Sequence, residues 1–182
     1  TAIGHRAMCS NSSGECNVAL GRQALCSNTS ANYNTAIGHS AMLKNTEGCA
    51  NTALGLYAMA CNTTGDAHVA IGYEALLNNT TADCNVAVGC KAMRANTTGT
   101  DNVAVGTLAL TALTTGASNT AIGKNAMCAN TTGADNVAVG TCALDSNTTG
   151  ASNVAIGYSA LTTNTSAASN TAVGHLALRY TT

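Results

Sequence analysis

Glycine recurs at positions 4, 21, 38, 55, 72, 89, 106, 123, 140, 157 and 174, a spacing of 17 without a single insertion or deletion. A period this short and strict decides the architecture before any other feature is weighed. One unit reads Asn-[Thr/Val]-Ala-[Ile/Val/Leu]-Gly-x-x-Ala-[Leu/Met]-x-x-Asn-Thr-Thr-Gly-x-x, and Asn136 to Ser152 is a clean copy. Helix-pair repeats need about 30 residues or more. A 17-residue unit instead makes one turn of a coil, with two short strands and two bends. The Asn-Thr/Val-Ala-Ile-Gly segment alternates with period 2 and favours β-branched residues, which predicts a strand closed by Gly. The remaining glycines (Gly14, Gly48, Gly65, Gly99, Gly116, Gly133 and Gly150) close the Asn-Thr-Thr run or its variants Asn-Ser-Ser, Asn-Thr-Glu and Leu-Thr-Thr. A left-handed backbone at each bend is the expected reason for both glycine columns. The expected fold is therefore all-β: a parallel β-solenoid, or β-roll, of about eleven 17-residue coils forming a single repeat domain over 1–182. At about 4.8 Å per coil, the rod would be roughly 50 Å long.

Composition supports this and excludes much else. Aromatic residues are 3%, with no Phe, Trp or Pro, so the apolar content is mostly small aliphatics. Such residues cannot fill the wide interior of a sandwich, barrel or helical globule at native density. Proline's absence fits a stack in which a missing N–H would break a ladder. Charged residues are 8% with net charge −1, which leaves no electrostatic footprint for nucleic acid. No apolar run approaches the roughly 18 residues of a membrane-spanning helix. We therefore expect neither nucleic-acid binding nor membrane insertion.

Two asparagine columns run through the repeat. The first comprises Asn17, Asn34, Asn51, Asn85, Asn102, Asn119, Asn136, Asn153 and Asn170, with His68 as its exception. The second comprises Asn11, Asn28, Asn45, Asn62, Asn79, Asn96, Asn130, Asn147 and Asn164, interrupted by Leu113. Stacked amides hydrogen-bond to their copies in cross-β arrays, so both columns are expected to be structural ladders at turns. A third column is alanine throughout: Ala2, Ala19, Ala36, Ala53, Ala70, Ala87, Ala104, Ala121, Ala138, Ala155 and Ala172. Strand geometry puts these on the face opposite the flanking Thr/Val and Ile/Val/Leu residues. The larger pair is expected to face inward, with Leu/Met of the second strand, so the alanines lie outside, where an invariant methyl column suggests a neighbouring chain packed along the rod. The other orientation places Ala inside a very flat coil.

The segments Asn34–Met42, Asn119–Met127 and Asn153–Leu161 carry the pattern Asn-[Thr/Val]-Ala-Ile-Gly-x-x-Ala-[Leu/Met]. This resembles the head repeat of trimeric autotransporter adhesins, whose Ser-Val-Ala-Ile-Gly-type units form a left-handed parallel β-roll. The full unit with Asn-Thr-Thr-Gly is similar to repeats in long bacterial surface and phage tail-fibre-type proteins. The resemblance spans the whole chain, although the adhesin unit is typically shorter and nine cysteines are unusual for such fibres. It implies a homotrimer or filament of the chain's own copies, on a cell surface or virion. A host-surface or carbohydrate ligand would then meet sparse surface residues such as Tyr57, Tyr73, Tyr158 and Arg94. Both chain ends fall inside the repeat, which is expected of a segment of a longer fibre or a subunit that stacks on its copies.

Chemistry-bearing residues give little beyond this. The acids are scattered, no Ser/His/Asp or paired-carboxylate arrangement recurs, and the glycines match no phosphate loop. No enzyme activity, cofactor or metal is expected. His5, His39 and His175 share the column after Gly, but His5 and His39 lie two coils apart, too far for one ion. The cysteines at 9, 16, 26, 49, 61, 84, 90, 128 and 142 show no zinc spacing. Cys9 and Cys26 share a column on adjacent coils, within disulfide range. Asn-x-Ser/Thr sequons at Asn11, Asn28, Asn62, Asn78, Asn79, Asn96, Asn130, Asn147 and Asn164 offer candidate glycan acceptors, with Asn62, Asn96, Asn130 and Asn147 the clearest. Three functional readings follow. The first is a structural or adhesive segment of an extracellular or viral fibre. The second is an ice-binding solenoid using ranks such as Asn62/Thr64, Asn96/Thr98, Asn130/Thr132 and Asn147/Thr149. The third is a glycosylated fibrous coat protein.

Overall fold

The computed structural model describes residues 1–180 and is a parallel β-solenoid of stacked 17-residue coils. Eleven strands, from β1 (Ala2–Ile3) and β2 (Val18–Leu20) to β11 (Thr171–Val173), form one sheet in strict chain order. Every step is parallel and in register, so the strand alanine of one coil pairs with that of the next from Ala2↔Ala19 to Ala155↔Ala172. A one-residue slip would turn every side chain to the wrong face, so the invariance of the column and the register are one fact.

Orientation of the strand is the opposite of the favoured expectation. Ala19, Ala36, Ala53, Ala70, Ala87, Ala104, Ala121, Ala138 and Ala155 are 0% exposed and Ala172 is nearly so, while Ala2 is exposed in the first coil. These alanines pack inside their own coil and are not contacts between chains. The flanking Thr/Val and Ile/Val/Leu residues point outward and are half-buried or exposed. The physical reason lies across the coil. The opposite wall contributes a second buried alanine and a buried Leu or Met in each coil between the two terminal ones, as in Ala143 and Leu144. Two asparagine side chains occupy the rest, and no width remains for anything larger than a methyl group on the strand.

That opposite wall is a succession of turns, so each coil has one strand where two were expected. Ala143 and Leu144 are consecutive and both buried, which a strand with alternating faces cannot achieve. Left-handed residues solve this: Cys142 at φ 56° and Leu144 at φ 51° repeat the geometry of Arg6 and Met8 in the first coil. Each such non-Gly residue costs of order 1 kcal/mol. In return the wall stays bonded to both neighbours: Gln23 N–H donates to His5 O, and Leu25 N–H donates to Ala41 O.

The glycine columns have different causes. Strand-closing glycines adopt φ between 130° and 137°, so their permissive backbone is required. The second column, contrary to expectation, is not left-handed. A Cβ on Gly48 would strike the Gly65 carbonyl oxygen and lie 2.6 Å from Asn45 Oδ1. Close approach, not backbone sign, favours Gly there, and Ala31 and Ala82 show that some coils admit a methyl. The left-handed residue of this bend stands just before the first-ladder asparagine, as at Ser152 (φ 57°).

The inward alanine column makes a prediction that separates the two orientations. Ala104→Leu should destabilise by at least about 1–3 kcal/mol through overpacking. Val103→Thr, on the outer face, should cost less than about 0.5 kcal/mol. Denaturant unfolding followed by far-ultraviolet dichroism compares them, and two equally small effects would contradict the inward placement.

Candidate functional site: the asparagine ladders and the outer sheet face

Two amides and one carbonyl organise each coil in which both ladders carry asparagine. In the coil beginning at Asn34, Asn34 Nδ2 reaches across the interior to donate to Gly48 O at 2.9 Å. Asn45 Nδ2 donates to the same oxygen, also at 2.9 Å. The pattern repeats at Gly65 with Asn51 and Asn62, and at Gly99 with Asn85 and Asn96. This clasp closes the coil on itself. The amide oxygens then join one coil to the next. Asn17 Oδ1 accepts from the Asn34 backbone N–H at 2.9 Å, and Asn34 Oδ1 accepts from that of Asn51 at 3.0 Å. In the second ladder the link is amide to amide, as from Asn62 Nδ2 to Asn45 Oδ1 at 2.8 Å. Between Asn85 and Asn170 the first ladder adds the same amide-to-amide bond, for example Asn119 to Asn102 at 3.0 Å. No buried side-chain nitrogen or oxygen among the described residues lacks a partner.

His68 shows what the first ladder demands. Its Nδ1 accepts from the Asn85 N–H at 3.0 Å, the role of an asparagine oxygen, while Nε2 lies 2.6 Å from Ala82 O, the role of the amide nitrogen. These partners require the neutral tautomer with hydrogen on Nε2. Burial, the main cause, pushes the imidazole pKa below its ordinary value, against the hydrogen bond to Ala82 O. Leu113 shows the cost of a gap in the second ladder. Asn130 Nδ2 retains its bond to Gly133 O but has no amide oxygen below it, and Asn96 Oδ1 turns to the Gly99 N–H at 3.2 Å.

A third ladder escaped the sequence reading. The residue after each second-ladder asparagine donates its hydroxyl to the carbonyl of its equivalent in the next coil. Thr63 Oγ1 to Thr80 O at 2.9 Å and Thr131 Oγ1 to Thr148 O at 3.0 Å are examples. The signal was present, because that position is Ser or Thr in every coil from Ser12 to Thr165.

These ladders take the buried asparagines out of two surface readings. Asn62, Asn96, Asn130 and Asn147 are 0% exposed, and each Nδ2 is committed to the clasp. In the folded chain they cannot accept a glycan. For the same reason the proposed ice-facing ranks lose their asparagine half, leaving a single exposed column at Thr64, Thr98, Thr132 and Thr149. The repetition of the sequon comes from the backbone clasp.

On the surface, His5 and His175 are exposed and His39 is half-buried, with His39 against Tyr57 (5.5 Å between ring centroids) and His175 stacked on Tyr158 (5.3 Å). Arg94 Nε pairs with Glu74 Oε2 at 2.6 Å, and Lys91 Nζ lies 5.8 Å from the Tyr73 ring centre. Glu74 is held below the ordinary carboxylate range, first by its hydrogen bond with Tyr73 and also by Arg94. No group of three metal-ligating side chains and no pocket occurs among the described residues. The largest continuous feature is the outer sheet face. There Thr/Val and Ile/Val/Leu columns run side by side, with Leu20, Leu54, Ile122, Ile156 and Val173 among its exposed members.

A scan against protein-family models and searches of curated proteins and of solved structures returned no match.

Two predictions test the ladders. Unfolded histidine titrates near pH 6.5 and folded His68 titrates lower, so the unfolded chain binds more protons in between. Stability contributed by neutral His68 is complete above about pH 6.5 and falls as the pH drops below it, by at most about 1.4 kcal/mol per unit. His68→Asn should remove that part of the slope, read from unfolding at pH 7.5 and 5.5; an unchanged slope would contradict the buried neutral assignment. At the gap, Leu113→Ala should cost about 2–5 kcal/mol. Leu113→Asn, by restoring two amide bonds worth about 1 kcal/mol each, should stay within about 1 kcal/mol of the parent. An asparagine as damaging as alanine would contradict the ladder account.

Proposed function

We propose that this chain is a stiff, self-associating rod segment of an extracellular or viral fibre, and that the outer sheet face is where copies meet. One observation carries the reading: an in-register, two-column stripe of outward β-branched and aliphatic side chains along the full stack. At about 4.8 Å per coil, with roughly 7 Å between columns, the stripe spans several hundred Å² of side-chain surface. Contiguous exposed apolar patches of that order are often functional, association between proteins being one such use. The stripe is also selective. One column is always Thr or Val and the other always Ile, Val or Leu, and neither column carries a charge in any coil.

Regular spacing favours a second copy as the occupant. A partner built on the same 17-residue repeat presents the same rise per coil and can keep each rank opposite its equivalent along the length. Three copies packed around one axis would cover three such stripes together, which is the homotrimer the resemblance implies. The remaining faces carry turns, hydroxyls and the scattered Tyr, His and Arg side chains. Those are the surfaces left for a host-surface or carbohydrate ligand. Length and stiffness come from the ladders.

Sedimentation equilibrium tests this reading. The parent chain should show a multiple of 18.0 kDa, three for the trimer. Val88→Lys combined with Val105→Lys should give the monomer mass with unchanged far-ultraviolet dichroism. A parent chain that is monomeric at micromolar concentration would overturn the proposal.

A further inference from the structure

We propose that Cys9 and Cys26 form a redox staple, a site of thiol–disulfide exchange with low-molecular-weight disulfides that locks the first coil to the second. They are the only cysteines in one column of adjacent coils; Cys128 shares the column but lies six coils further on. The two sulfurs are 2.8 Å apart. Backbone bonds on either side fix that placement: Met8 N–H donates to Ala24 O at 2.9 Å and Ser10 N–H to Cys26 O at 3.1 Å. In-register neighbours about 4.8 Å apart lie inside the roughly 4.4–6.8 Å Cα range of disulfides. Bond formation therefore needs side-chain rotation and no movement of the coil.

The two thiols are unlike, which assigns their order of reaction. Cys9 is exposed and Cys26 is buried. The Cys26 hydrogen bond, with help from Ser10 and Arg6, holds the Cys9 thiol below its ordinary pKa, while burial pushes that of Cys26 up. Cys9 thiolate attacks one sulfur of the incoming disulfide, oxidised glutathione for example, and a glutathione thiolate leaves. Cys26 then loses its proton and attacks Cys9 Sγ, and the second glutathione thiolate departs. Two protein thiols become one protein disulfide and one glutathione disulfide becomes two thiols, so electrons and protons balance.

The full chain, reduced and desalted, is equilibrated with graded mixtures of reduced and oxidised glutathione, quenched with N-ethylmaleimide and digested with trypsin. The expected product carries seven N-ethylmaleimide adducts where the fully reduced chain, with nine cysteines, carries nine, and its mass differs from that control by two adducts and the two thiol hydrogens. Its tryptic peptides 7–22 and 23–44 should be joined, with fragment ions placing the link at Cys9 and not Cys16. Cys9→Ser or Cys26→Ser should abolish that link, and Cys16→Ser should leave it. The oxidised parent should melt at a higher temperature than the reduced one, a difference lost in both staple variants. A stable glutathione adduct on Cys9, pairing between chains, pairing scattered over the other cysteines, or no oxidation at all would overturn the staple.

Discussion

A single carbonyl oxygen per coil, receiving two asparagine amides from opposite sides of the interior, is the constraint from which the remaining structure follows. It draws the two walls together at the narrow end of the coil and satisfies buried polar atoms that water cannot reach. In so narrow a coil the apolar interior is only two methyl groups and one Leu or Met. Hydrophobic burial that small leaves directional bonds to hold the stack. A buried polar network is stabilising only when every member is satisfied, and among the described residues no buried side-chain nitrogen or oxygen lacks a partner, even where His68 and Leu113 interrupt the ladders. His68 is tolerated because its ring offers one acceptor and one donor in the asparagine's places.

The narrow interior also determines the outside. Since only alanine fits on the inner face of the strand, the larger β-branched residues are left on the outer face by the alternation of the pleat. An all-β rod with a thin core thus carries its most apolar continuous surface outward. The proposed association of copies supplies what the single coil lacks, namely a second layer against its sheet. Small repeats that cannot bury their apolar face alone depend on neighbours for it; along the axis those neighbours are coils, and across it the proposed association would supply chains.

The period, the parallel register and the strand at Asn-Thr/Val-Ala-Ile-Gly were legible in the sequence because a repeat must place equivalent residues at equivalent heights. Orientation was not. Alternation tells which residues share a face and is silent on which face is inside, and bulk alone argued for Val and Ile within. What decides the matter is the space taken by Asn34 and Asn45 meeting at Gly48, a long-range arrangement no local pattern displays. The turn-built wall was hidden for a related reason, since left-handed Leu and Met are unfavourable locally and persist only because both neighbouring coils bond to them. The sequons at Asn62, Asn96, Asn130 and Asn147 looked like surface chemistry because a glycan acceptor and a clasp asparagine are the same residue. The threonine hydroxyl ladder could have been read from its invariant column.

The most direct test of the clasp is hydrogen exchange at the asparagine side chains themselves. Free primary amides exchange quickly, whereas amides held in a closed coil exchange only when the coil opens. After transfer of labelled protein into deuterium oxide, the Nδ2 resonances of Asn51, Asn62, Asn85 and Asn96 should persist alongside the backbone amides of the strands. Loss of those side-chain signals at the rate of free asparagine, while the strand amides remain protected, would contradict the account.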